Sequence, residues 1–162
     1  MPHPVVVRRR SLRYGFTLIE ILVVAAIALL LSAIVLAGFN DFEAAQSLDL
    51  GSRNIASFID KARTQTLSGL GGTPYGIHLS SGSAVLFAGA SYQAGAPGNE
   101  TLQFPGGLQA SSISLAGGGS DIIFDQLTGD TGEWGSFVLS TGVSGSPQKT
   151  IVVSSSGHVE VQ

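Results

Sequence analysis

Cysteine is absent from the 162 residues, so no disulfide can staple a domain of this chain and no thiolate can hold a metal. Histidine occurs only as His3, His78 and His158, too far apart for a metal cluster. Their expected places are surface positions, His78 and His158 on strands. Basic residues are scarce beyond the first fifteen residues. After Gly15 only Arg53, Lys61, Arg63 and Lys149 remain, against all eleven acidic residues, a formal balance of −7. That balance argues against nucleic-acid binding by the part after Gly15, which would want clustered lysine and arginine.

Catalytic signatures are missing too. No Gly-x-Ser-x-Gly elbow occurs. Gly69-Leu70-Gly71-Gly72 has neither the preceding strand nor the following Gly-Lys-Ser/Thr of a phosphate loop. Neither an enzyme activity nor a cofactor is expected. Asn99-Glu100-Thr101 spells a glycosylation sequon only in letters.

What the chain does have is concentrated at its start. Arg8, Arg9, Arg10 and Arg13 precede Gly15-Phe16-Thr17-Leu18-Ile19-Glu20, and of the nineteen residues from Ile21 to Phe39 all but Ser32 are apolar. A bilayer core takes about 20 such residues in a helix. The arginines upstream, with Asp41 and Glu43 downstream, orient the segment with its N-terminus in the cytoplasm and the bulk of the chain exported. An ordinary secretory signal is cut after its apolar core. Here the small residue, Gly15, comes before the run, so a cut there removes a basic leader and leaves the helix attached.

Glu20 is out of place in such a helix, because a carboxylate at the edge of a span costs a few kcal/mol. A cut after Gly15 would create a positive α-amino group on Phe16. The same group on a neighbouring chain, shifted along a bundle, could meet the Glu20 carboxylate. The plainer alternative leaves Glu20 in the headgroup region without a partner.

These residues resemble the N-terminus of type IV prepilins and of the pseudopilins of type II secretion systems. The resemblance implies a membrane aspartyl prepilin peptidase that cuts after Gly15 and methylates Phe16. It implies Glu20 as the carboxylate that pairs with a neighbour's amine during assembly. Its partners would be that peptidase, other pilins or pseudopilins through the N-terminal helix, and an inner-membrane assembly platform. The protein would sit in the inner membrane by a single pass before entering a pilus or pseudopilus. Major pilins often carry a C-terminal disulfide loop, so the lack of cysteine leans towards a pseudopilin or minor subunit.

Beyond the span, Leu48, Ile55, Phe58, Ile59, Ala62 and Leu67 recur at helical spacing and form one apolar stripe. No proline occurs between Phe16 and Thr73. One helix is therefore expected from about Thr17 to Ser68, stopped by Gly69, Gly71, Gly72 and Pro74. Gly38 and Gly51 are its weak points, each costing about 1 kcal/mol relative to alanine.

The remainder reads as strands: Tyr75 to Ser80, Ser83 to Ala88, Thr101 to Phe104, Ile113 to Leu115, Ile122 to Asp125, Phe137 to Ser140, Thr150 to Ser154 and His158 to Val161. Glycine- and serine-rich loops, notably Gly89 to Gly98 and Ala116 to Ser120, separate them and are expected to be mobile. The expected fold is α+β: a long N-terminal helix, transmembrane in its first half and amphipathic in its second, packed on an antiparallel β-sheet head, the lollipop of pilins. The divisions are a leader over 1–15, an assembly helix over 16–39 and an exported head over 40–162, with the amphipathic half at 40–68. The order of strands around Phe124-Asp125-x-x-Thr128-Gly129 and Gly157-His158-Val159 resembles the H-type minor pseudopilins, with their FimT- and FimU-like minor pilins.

One oxygen-rich loop remains. Asp125, Asp130 and Glu133 are weak calcium candidates, and the resemblance strengthens them only in that major pseudopilins carry calcium in the head. Their spacing is not that of an EF-hand, and a solvated acidic loop is the expectation. Trp134, the only tryptophan, is a candidate contact residue. The functional expectation is a non-enzymatic structural subunit. The alternatives are a membrane-anchored exported enzyme or binding module, and a subunit whose head reads a ligand such as DNA or a surface.

Overall fold

The computed structural model describes residues 15–142 and 146–162, and within its long helix the side chains of 35–41 are not described. Residues 1–14 of the expected leader, its four arginines among them, lie outside the described residues. The chain divides into two compact units, residues 1–39 and Asn40–Gln162.

Helix α1 runs from Leu18 to Leu67, as the absence of proline allows. It crosses the boundary between the units. In the first unit every large apolar side chain from Phe16 to Ile34 is at least half exposed. Among the described residues, no helix is long and apolar enough to cross a membrane. The expected span extends to Phe39, and its last five side chains are among those not described.

The second unit is built on the other half of α1. Eight strands follow: β1 (Tyr75–Leu79), β2 (Ser83–Ala88), β3 (Glu100–Gln103), β4 (Gln109–Leu115), β5 (Asp121–Ile123), β6 (Gly135–Ser140), β7 (Gln148–Val153) and β8 (Val159–Val161). Each expected strand has a counterpart. They form two antiparallel sheets rather than one, ordered β3-β2-β1-β5 and β4-β6-β7-β8. β4 starts four residues earlier than its apolar pattern implies. Its first half, Gln109-Ala110-Ser111, is drawn into pairing by β6, and a register shift between Ser111 and Ser114 accommodates Ser112 at φ 50°. A bulge of this kind on an edge strand also discourages pairing with another chain.

The two sheets and the helix share one core. Ile55, Ile59 and Ala62 of α1 are fully buried against Ile77 and Ile122 of one sheet and Phe137, Leu139 and Ile151 of the other. Each fully buried large side chain contributes about 1.5–3 kcal/mol relative to an exposed one. The stripe on α1 differs from the sequence reading at one end. Leu67 is 42% exposed, whereas Ser52 and Thr66 are buried. Both hydroxyls are satisfied: Ser52 Oγ donates to Asp49 O at 2.9 Å, and Thr66 Oγ1 donates to Ala62 O at 3.0 Å. Thr66 Oγ1 also accepts the Tyr75 N–H at 2.9 Å, which fixes the entry to β1. A buried hydroxyl that returns its hydrogen bond to the helix costs little, so polarity does not keep Thr66 out of the core.

Gly51 has a packing role as well. A Cβ there would collide with Leu108 Cδ1. The Pro105–Gly107 turn between the sheets carries Leu108 onto the helix at this bare position. The helical weakness at Gly51 is thus a seat for the inter-sheet connection.

Candidate functional site

Two places hold the residues singled out in the sequence, the junction before α1 and the acidic loop of the head. At the junction, residues 15–17 precede the helix and Phe16 is 80% exposed. Among the described residues, chain neighbours aside, nothing lies within 4 Å of where a Gly15 Cβ would be.

Thr17 and Glu20 close the start of the helix on each other. The Glu20 N–H donates to Thr17 Oγ1 at 3.3 Å, and the Thr17 N–H donates to Glu20 Oε2 at 3.5 Å. This is a capping box, Thr-x-x-Glu, with both bonds at the long end of the range. Its signal, Thr17-x-x-Glu20 directly before an apolar run, is in the sequence. Glu20 also suits the positive end of the helix dipole. Its side chain has an intramolecular use before any neighbour arrives.

In the head, the structure does not converge the three calcium candidates. Asp125 and Asp130 line an open recess of about 460 Å³ with Thr131, Gly132, Ser155 and Ser156. Glu133 points elsewhere, accepting from the Ile123 N–H at 3.3 Å and the Thr131 hydroxyl at 3.2 Å. Among the described residues no group of three His, Asp or Glu side chains could hold a metal ion. The loop is shaped by backbone bonds, Asp125 N–H to Asp130 O at 2.8 Å and Gly129 N–H to Asp125 O at 2.9 Å. Arg63 Nε of α1 donates to Gly129 O at 3.1 Å and anchors the loop to the helix.

A cluster that the sequence reading missed lies on the outer face of the first sheet. His78 Nδ1 is 2.6 Å from Asp121 Oδ1. Tyr92 stacks on the imidazole, centroids 4.0 Å apart and planes within 6°, and leans on Phe87. The loop from Gly89 to Gly98, expected to be mobile, is thus held at its one tyrosine. No serine or threonine hydroxyl among the described residues is hydrogen-bonded to the imidazole, so the pair forms no Ser-His-Asp arrangement. His158 precedes β8 and is exposed, and Trp134 is 53% exposed.

Electrostatically the head is self-contained in its cations. Asp49 receives Lys149 at 2.6 Å and Arg53 at 3.0 Å, and Lys61 meets Glu100 at 2.6 Å. The hydrogen bond from Lys149, with the charges of Arg53 and Lys149, holds the Asp49 carboxyl below its ordinary value.

Comparison with known proteins adds to this geometry. Residues 10–36 match the family described as the prokaryotic N-terminal methylation motif. No curated protein matches the chain in sequence. The chain is similar in structure to the type IV minor pilin FimU of Pseudomonas aeruginosa, with a TM-score of 0.57 and 14% identity over 75% of this chain and 92% of FimU. It is also similar to the minor pseudopilin EpsH from the Type 2 Secretion System of Vibrio cholerae, with a TM-score of 0.50 and 11% identity over 72% of this chain and 96% of EpsH. The chain is therefore pilin-like, an N-terminal methylation motif carried by a protein with the fold of type IV minor pilins and minor pseudopilins.

Proposed function

We propose that the protein is a non-enzymatic subunit of a type IV pilus or a type II secretion pseudopilus, cut after Gly15 and assembled through α1. The observation that carries this reading is the junction itself, an exposed Gly15–Phe16 bond placed directly before a capped helix whose apolar side chains are uncovered. A leader removed at this point leaves the helix attached to the head, and the apolar surface then passes from lipid to neighbouring helices. A prepilin peptidase is the processing partner and Phe16 the methylated residue. The inner membrane, with an assembly platform in it, is the place from which the subunit is drawn. The fold shared with FimU and EpsH supports a minor role.

Glu20 is the assembly carboxylate in this reading. Once Phe16 carries a free amine, a neighbour's amine competes with the capping box for Glu20, so assembly exchanges an internal partner for an external one. The test is the intact mass and N-terminal sequence of the protein from cells that contain its own peptidase. A chain that starts at Phe16 with a methylated amine is expected. An uncut chain, or one cut beyond Phe39, would make the helix a plain anchor or export signal and overturn the reading.

A further inference from the structure

The first sheet carries a second apolar cluster, on the side away from the shared core. Pairing sets Gly76 opposite Phe87, Val85 opposite His78 and Asp121 opposite His78, so these five positions share one face. Val85 and Phe87 are buried there, although neither belongs to the core that the helix and the two sheets share. Their cover is the loop from Gly89 to Asn99, which leaves β2 and returns as β3 beside it. Tyr92 of this loop leans on Phe87, centroids 5.6 Å apart, and stacks on the His78 ring. The loop also closes on itself, Asn99 Nδ2 donating to Gln93 O at 2.9 Å and the Asn99 N–H to Ala96 O at 3.2 Å. It is therefore a compact lid whose described contact with the sheet's polar face is a single ring stack.

The strength of that stack depends on charge. With both ring nitrogens protonated, the 2.6 Å contact from His78 Nδ1 to Asp121 Oδ1 joins two ions, a hydrogen bond roughly twice as strong as a neutral one. A cationic ring against the face of Tyr92 gains a further attraction. The neutral ring retains only an ordinary Nδ1–H bond. Among the described residues, β5 presents Asp121 to the imidazole, the loop presents the Tyr92 phenol and β2 presents the uncharged Val85. Glu133, beyond the far edge of β5, is turned to the Ile123 N–H and Thr131, and Glu100 lies opposite Leu86 and is held by Lys61. No described cation competes for Asp121. We propose that His78, Asp121 and Tyr92 form a pH-sensitive latch, which holds the loop closed over Val85 and Phe87 while the imidazole is charged and loosens it when the ring is neutral. Histidine ordinarily changes charge between about pH 5 and 8, where carboxylates stay ionised, so the latch is tight at the acid end and slack at the other. It stands whether or not the chain is a filament subunit.

The test is amide hydrogen exchange followed by NMR on the full-length chain in detergent micelles, at about pH 5 and about pH 8, with rates corrected for intrinsic exchange. The Ala96 and Asn99 amides, which donate to Gln93 O and Ala96 O, report the loop, and the Ala110 amide, which donates to Ser81 O, reports the rest of the head. Loop protection about fivefold higher at the lower pH is expected, with Ala110 unchanged. His78→Gln keeps a polar side chain that does not titrate, so its loop protection should be the same at both pH values. Tyr92→Leu should lower loop protection at both. A flat profile in the parent would overturn the latch whatever the variants do. So would a pH dependence that survives in His78→Gln, or loop protection untouched by Tyr92→Leu.

Discussion

Lys149 Nζ lies 2.6 Å from Asp49 Oδ1, joining β7 to α1 across a hundred residues of chain. On the other flank of the helix, Lys61 and Glu100 make the equivalent tie to β3. One ion pair thus reaches each sheet from the same helix. The Asp49 side chain is 42% exposed, so solvent screens the pair and its stabilisation is modest.

The Asp49 pair has a pH signature. Its carboxyl is held below the ordinary value of 3.8, so the folded state binds this proton less readily than the unfolded chain. The stabilisation is complete above about 3.8 and is lost as pH falls through the lower folded value. Lys149→Met should therefore lower the melting temperature at pH 7, and the difference from the parent should shrink as pH drops below 3.8. A difference independent of pH would assign the effect to packing of the lysine stem.

Gly51→Ala separates helix propensity from packing. Propensity alone promises about 1 kcal/mol of stabilisation. The collision with Leu108 Cδ1 opposes it, and overpacking of this kind costs about 1–3 kcal/mol. Net destabilisation is expected in urea unfolding, and the Gly51→Ala, Leu108→Ala double variant should lose less stability than the sum of the separate losses. A stabilised Gly51→Ala single variant would show that Leu108 is free to move.

Glu20→Gln distinguishes the cap from the charge. Glutamine can serve at the third position of a capping box but cannot pair with an amine as an ion. Insertion and cleavage should be normal in Glu20→Gln and in Glu20→Ala, and both should lose filament incorporation. If Glu20→Gln assembles as well as the parent while Glu20→Ala does not, the cap is what assembly requires.

Calcium should leave the head unchanged. With Glu133 turned to Ile123 N and Thr131, Asp125 and Asp130 supply too few oxygens for a calcium shell of 6–8 ligands. Millimolar calcium should not shift the melting temperature. A rise that Asp130→Asn abolishes would reinstate the site.

Much of the fold was legible because its signals are local. The unbroken helix follows from the missing proline and the stripe of Ile55, Phe58, Ile59 and Ala62. The eight strands follow from alternation and from turns such as Ser81-Gly82 and Ser155-Ser156-Gly157. The methylation motif matched over residues 10–36 was legible for the same reason, since its residues are adjacent in sequence. The capping box of Thr17 and Glu20 is equally local.

What the chain by itself determined, then, is where each element lies, because hydrophobic period, glycine and proline act over a few residues. Tertiary structure decided what depends on neighbours remote in sequence. It split the strands into two sheets and buried Thr66 while leaving Leu67 in solvent. It seated Leu108 on Gly51, joined His78 to Asp121 and turned Glu133 away from Asp125 and Asp130. Each of these rests on atoms brought together across tens of residues, and close packing, not local preference, chooses among such arrangements.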